Sequence, residues 1–190
     1  FDVDIKGKAY ELTLQKEAST NKDFGQFFTP RHIVNYMIEN IEMKINKDGS
    51  YTKVMDPACG TCGILLSYYS KVKEKALKEK IKLDSDVSKY INGFEIVDDT
   101  LKLGQMNVLL KSNVYNTNLK NIDFLENGCL DFADEKFDGH IIMNPPFALT
   151  KKYYLDNNEE LNNFYKVKTK SGVMLFILAS LNIVNDGKQI

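Results

Sequence analysis

The chain has 190 residues, 43% of them apolar, which is length and apolar content for one domain with a substantial core. Its 25 basic and 26 acidic residues leave a formal net charge of -1, which excludes a nucleic-acid binder working by bulk positive charge and makes any basic surface local. No apolar run of about eighteen residues offers a membrane span and no basic-plus-apolar signal segment opens the chain, so a soluble, cytoplasmic protein with no membrane partner is expected.

From the amino terminus, Val3 and Ile5, then Tyr10, Leu12 and Leu14, alternate around Lys6-Gly7-Lys8, the pattern of an arm or hairpin over residues 1–23 ahead of a main domain over 24–190. Thr29-Pro30 sets a capping hydroxyl before a proline at the first helical position, and Ile33, Tyr36, Met37 and Ile41 follow on one helical face, so a helix begins near Pro30. Thr52 to Asp56 reads as a strand that runs into a loop containing Pro57, Gly60 and Gly63. Leu65, Tyr68, Tyr69, Val72 and Ala76 then recur at helical spacing, and Lys71, Lys73, Lys75, Lys78 and Lys80 read as the solvated face of that helix rather than a DNA contact. Tyr90 to Glu95 reads as a second strand, Asp98 to Lys111 as a helix, Asn121 to Leu125 as a weaker third strand and Phe137 to Met143 as a fourth. Lys151 to Lys170 is read as a mobile connection, and Gly172 to Val184 as an apolar helix stopped by Asn185-Asp186-Gly187. Strands alternating with helices imply an α/β fold whose parallel sheet is covered on both faces, with its strand ends along one edge. The first residue is Phe1 rather than Met, and Ile190 follows a turn signal as though a strand were starting, so both ends are read as cut.

In an open α/β sheet, ligands bind outside the carboxyl ends of the strands, and the special residue clusters fall at such ends. The first strand delivers Asp56-Pro57-Ala58-Cys59-Gly60-Thr61-Cys62-Gly63, where glycines admit a ligand to the backbone and the next helix presents free N–H groups. On that loop alone, a tight turn with a satisfied aspartate competes with a nucleoside-cofactor loop. The second strand ends in Gly93-Phe94-Glu95, a carboxylate able to accept hydrogen bonds from ribose hydroxyls. The fourth ends in Asn144-Pro145-Pro146-Phe147, where two prolines stop the strand and stiffen the chain beyond it. An exocyclic amine held there would donate to the Asn144 side-chain oxygen and the Pro145 carbonyl, while Phe147 stacks on its ring. Bonding both protons of the amine favours a tetrahedral nitrogen with an outward lone pair, a nucleophile for an electrophilic methyl group.

Taken together, Gly25-Gln26-Phe27-Phe28-Thr29-Pro30, Asp56-Pro57-Ala58-Cys59-Gly60, Gly93-Phe94-Glu95 and Asn144-Pro145-Pro146-Phe147 resemble the N6-adenine DNA methyltransferases over about Phe24 to Ile190. The resemblance is closest to the modification subunit of type I restriction systems and to related type IIG enzymes. It implies a Rossmann-like, S-adenosylmethionine-dependent methyltransferase sheet of seven strands, truncated here before its last ones. Phe28, Thr29 and Pro30 would line the methionine end of the cofactor, Asp56, Ala58 and Gly60 would hold its amino acid part and loop, and Glu95 would take the ribose. Asn144, Pro145, Pro146 and Phe147 would be the catalytic grip on an adenine turned out of double-stranded DNA. Gln26 and Arg31 flank the amino-terminal motif. Sequence choice would come from a specificity subunit or a fused target-recognition domain, with a restriction subunit as a further partner. Two departures stand out. Cys62 takes a place where relatives usually carry glycine, and Glu126-Asn127-Gly128-Cys129-Leu130 lies where the family has an aspartate after its third strand, with Asp131 a near candidate.

Other readings share these residues. Cys59 and Cys62 form a Cys-x-x-Cys pair, but a zinc site would need Cys129 and His140 as well, neither with paired spacing, so no metal is expected and reduced thiols are. The same cofactor with RNA or a protein glutamine as acceptor is a second enzyme reading. An inactive DNA-docking or assembly subunit is the non-enzyme reading that the two departures favour. Lys151, Lys152, Lys166, Lys168 and Lys170 are candidates for phosphate contacts or for solvated loop charges.

Overall fold

Val54 and Met55 are neighbours in sequence, both wholly buried, and belong to two different hydrophobic clusters. That is the signature of a strand covered on both faces, since successive side chains of a strand point to opposite sides. They lie in β1 (Lys53–Asp56), an inner strand of a parallel sheet with β2 (Ile91–Phe94), β3 (Asn118–Lys120) and β4 (Gly139–Ile141) in the order β3-β2-β1-β4. Val54 pairs with Ile91 on one side and with His140 on the other. The chain moves outward from β1 through β2 to β3 and then returns to the far side of β1, so strand order reverses between β1 and β4. The computed structural model describes residues 29–114, 117–147, 159–167, 169 and 171–190.

One cluster gathers Val34 and Ile38 of α1 (Arg31–Glu39), Leu65, Tyr68 and Val72 of α2 (Gly63–Glu79), and Leu101 and Val108 of α3 (Asp98–Ser112) over Val54, Ile91 and Leu119. The other sets Leu161 and Tyr165 of α4 (Glu159–Tyr165) and Leu175, Ala179 and Ile183 of α5 (Gly172–Ile183) against Met55, Phe94 and Ile141. The expected two-faced cover is therefore present. Among the described residues no helix is long and apolar enough to cross a membrane.

The structure departs from the sequence reading at four places. The third strand is Asn118–Lys120 rather than Asn121 to Leu125, and Phe124 and Leu125, expected as its end, are buried in a π-helical turn over Phe124–Gly128. The strand escaped a hydrophobic reading because its pairing is polar: Asn118 Nδ2 donates to Asn92 Oδ1, and the buried Asn92 donates to the Val54 carbonyl at 3.2 Å. Residues 159–165 of the expected connection form α4, tied down by the Tyr165 hydroxyl, which donates to the Leu125 carbonyl at 2.8 Å. The fourth strand is Gly139–Ile141, shorter than Phe137 to Met143, and Phe137 instead makes an isolated parallel bridge with Val184, its N–H donating to the Ile183 carbonyl at 2.7 Å. Thr29 does not cap α1: Pro30 is the N-cap, and its carbonyl accepts from Ile33 and Val34. The arm over 1–23, Phe28 with the rest of Gly25 to Phe28, and Lys151, Lys152, Lys168 and Lys170 lie outside the described residues.

Candidate functional site

The loop after β1 is built around a buried acid. Asp56 is 1% exposed, its Oδ1 accepts from the Ala58 N–H at 3.0 Å, and burial holds its carboxyl up at about 7, with the Glu95 charge adding to the rise. Gly60 follows at φ 54, a conformation costly for side-chain-bearing residues, and a Cβ built on it would meet nothing within 4 Å. The space beside this loop is open. Cys62, where a glycine was the expected occupant, takes φ 67 and opens α2 from the left-handed region. Two glycines make room for the thiols: a Cβ on Gly93 would stand 2.9 Å from Cys59 Sγ, and one on Gly104 would stand 2.7 Å from Cys62 Sγ.

The end of β2 locks onto that loop. Glu95 Oε2 accepts from the Gly60 N–H at 3.1 Å, its Oε1 accepts from Val97 at 2.8 Å, and the Cys59 N–H donates to the Phe94 carbonyl at 2.9 Å. Each carboxylate oxygen keeps a second lone pair, so these bonds leave Glu95 able to accept from a ligand hydroxyl. Burial holds its carboxyl above the usual range. From just past the end of β3, Asn121 donates to the carbonyls of Glu95 at 2.9 Å and Ile96 at 3.1 Å, bracing one strand end against the next.

Asp123 is the residue the sequence reading missed. With β3 ending at Lys120, it becomes the acid just past that strand end, and its Oδ1 accepts from Leu125 at 2.9 Å to cap the π-helical turn. The cue was an aspartate placed before Phe124-Leu125, hidden because those apolar residues were read as strand. Asp131, the candidate read from the sequence, is paired with Lys120 at 2.7 Å.

Across the point where strand order reverses, the chain leaves β4 and stays on β1 for one more bond, Ile142 N–H to the Met55 carbonyl at 2.9 Å. Asn144, Pro145 and Pro146 follow half-buried, and the ring of Phe147 is 66% exposed. Asn144 Nδ2 donates to Thr29 Oγ1 at 2.9 Å, which brings Thr29 to the end of β4. Pro30 is exposed beside it. Lys166 is exposed just past α4.

The cysteines divide between faces. Cys59 and Cys62 lie in the cluster under α2, where their mutual hydrogen bond and burial hold the Cys59 thiol well above its usual range. Cys129 lies in the opposite cluster against Tyr165, pushed up to about 11 by burial. Both ring nitrogens of His140 are engaged, Nε2 with the Glu42 carbonyl at 2.7 Å and Nδ1 with the Gln189 N–H at 2.9 Å. Among the described residues no three His, Cys, Asp or Glu side chains converge as a metal site would require.

A sequence profile described as N-6 DNA Methylase matches residues 2–189 of the chain. The type II restriction enzyme and methyltransferase RM.BcgI of Heyndrickxia coagulans is 28% identical over 165 residues, 85% of this chain and 24% of its own length. Of solved structures, one described as a modification subunit of a type I restriction enzyme of Vibrio vulnificus matches with a TM-score of 0.68 at 26% identity, over 96% of this chain and 36% of that one. A class I S-adenosylmethionine-dependent methyltransferase of Listeria monocytogenes matches with 0.64 at 21% identity, over 95% and 50%, a likeness of fold alone. The chain spans between about a quarter and a half of the length of these proteins. The likeness of fold to these two solved structures agrees with the α/β methyltransferase sheet, covered by helices on both faces, that the sequence led us to expect.

Proposed function

Since the chain belongs to the N-6 DNA methylase family, we propose that it is the catalytic domain of a restriction–modification adenine methyltransferase, moving a methyl group from S-adenosylmethionine to the 6-amino group of an adenine turned out of double-stranded DNA. The observation that carries this reading is the end of β4. A half-buried amide and a 66% exposed phenyl ring, joined by two prolines, stand on the strand beside the Asp56 loop.

The residues present fit the cofactor. It brings a sulfonium and an ammonium group, and the strand ends offer two carboxyls held high by burial, whose ionised forms a cationic ligand favours. Asp56, Ala58 and Gly60 would hold its amino acid part, with Pro30 at the methionine end, Glu95 at the ribose and Asp123 at the adenine. Bound there, it supplies an electrophilic methyl group. Asn144 Oδ1 and the Pro145 carbonyl accept the two protons of the target amine, which turns its lone pair outward without a strong general base. Stacking on Phe147 is worth roughly 1–3 kcal/mol and offsets part of the unstacking cost.

The two features that favoured an inert docking subunit lose their force. Cys62 does take the positive φ that a glycine would, and an aspartate does follow the third strand. Double-stranded DNA is the proposed substrate. A specificity subunit or fused target-recognition domain would supply sequence choice, a restriction subunit would share the system, and the setting would be cytoplasmic.

The test is calorimetric titration of the full-length protein with S-adenosylmethionine, followed by transfer of labelled methyl groups with duplex DNA, RNA and a glutamine-bearing protein as competing acceptors. Cofactor binding with label on adenine N6 of DNA is expected. A flat titration, or label only on RNA or glutamine, overturns the reading.

A further inference from the structure

Building on that reading, we propose that Thr29 is a positioning residue for the methyl transfer, its hydroxyl holding the Asn144 side-chain amide so that the amide oxygen is turned toward the target amine. An asparagine amide has an acceptor end and a donor end related by a half-turn about one bond, and only the acceptor end is productive against an amine. Presented the other way round, the Asn144 N–H groups would meet the N–H groups of the base, leaving both sides unpaired. The structure has Asn144 Nδ2 donating to Thr29 Oγ1 at 2.9 Å, the one arrangement in which the nitrogen is paired within the protein and the oxygen is left for the base.

The local chain explains why Thr29 can do this. A threonine before a helix ordinarily spends its hydroxyl on the helix N-terminus. Here Pro30 takes the N-cap position and α1 has no side-chain cap bond, so the Thr29 hydroxyl is not drawn into the helix. Both partners precede a proline, Thr29 before Pro30 and Asn144 before Pro145, which restricts the backbone of each. The β-branch of Thr29 further limits its side-chain rotamers. The bond thus joins two stiff supports 115 residues apart, and the amide plane is set before the base arrives. This role differs from lining the methionine end of the cofactor, and the two make opposite kinetic predictions.

The experiment compares Thr29→Val and Thr29→Ser in the full-length protein, reading cofactor affinity by calorimetry and the single-turnover rate of DNA methylation at saturating cofactor and DNA. Valine keeps the shape without the hydroxyl and is expected to lower that rate about 10- to 100-fold with cofactor affinity unchanged, the scale of a misplaced reacting group. Serine is expected to restore most of the rate. A Thr29→Val protein that turns over like the parent, or that loses only cofactor affinity while keeping the saturated rate, overturns the proposal. So does serine failing where valine fails. If valine unfolds the protein, Thr29→Ser against Thr29→Ala carries the same comparison. Failure of the wider reading shows differently, as a parent protein that neither binds the cofactor nor methylates DNA, and the assignment of Thr29 falls with it.

Discussion

On the proposed reading, truncating Asn144 to alanine removes the acceptor for one proton of the amine and leaves the β1 loop and Glu95 as they are. Methyl transfer is expected to fall about 100- to 1,000-fold, the usual loss for one preorganised polar contact in a transition state. Cofactor affinity should stay at the parent value, and paired calorimetry and transfer assays on the full-length protein check this; a variant with parental rate would remove Asn144 from the chemistry. Asn144, Glu95 and Asp56 could be proposed as site residues from the sequence because each stands at or just past a strand end, and strand ends can be read from local pattern. Thr29 was legible only as a motif member. Its partner lies 115 residues away, and local pattern assigned its hydroxyl to the helix that Pro30 caps instead. Asp123 was lost through a misplaced strand, since its position matters only once β3 is known to end at Lys120.

Helix α3 and the β1 loop meet where Gly104 faces Cys62. A Cβ on Gly104 would stand 2.7 Å from the Cys62 thiol and 3.0 Å from the Gly60 carbonyl, so Gly104→Ala must push the loop or the helix aside. Overpacking of this kind costs about 1–3 kcal/mol. We expect a lower denaturation midpoint, weaker cofactor binding, and a smaller penalty when Cys62→Gly removes the thiol in the same chain; additive penalties in that double-mutant cycle would refute the contact. The long helices α2 and α3 were readable because apolar residues at helical spacing over several turns leave little choice. β3 was not, for it holds three residues and is secured by the Asn118–Asn92 contact, which hydrophobic pattern does not register. The Gly104–Cys62 fit was equally invisible, being a match between a gap and a thiol from separate elements.

At the scale of the molecule, His140 joins three separate stretches of chain. From the centre of β4 its ring reaches the Glu42 carbonyl and receives the Gln189 N–H, while the Gln189 side chain accepts from Glu42 N–H at 2.6 Å and donates to the Asn40 carbonyl at 3.0 Å. Because Nδ1 accepts, the proton sits on Nε2 and the ring is neutral. Burial holds its pKa below 6.5; the nearby Lys188 and Lys44 push the same way, against the Glu42 carbonyl bond and carboxylate. A histidine whose folded value is depressed contributes its stability above the unfolded value and loses it as pH falls through the folded one. Stability to denaturant should therefore decline on acidification below about 6.5, and His140→Gln should flatten that part of the profile even if it lowers the whole curve. An unaltered slope in the variant would count against the clamp.

By itself the sequence determined the α/β class, two-sided burial of the inner strands and the residues at three strand ends, since periodicity, strand stops and residue chemistry are local properties. The tertiary structure alone decided which of those ends adjoin, that Glu95 closes on Gly60, that Cys62 finds its space at Gly104 and that Thr29 holds Asn144. Each of these is a contact between groups distant in the chain. Its existence depends on how helices and strands are set against one another, and no local pattern encodes that.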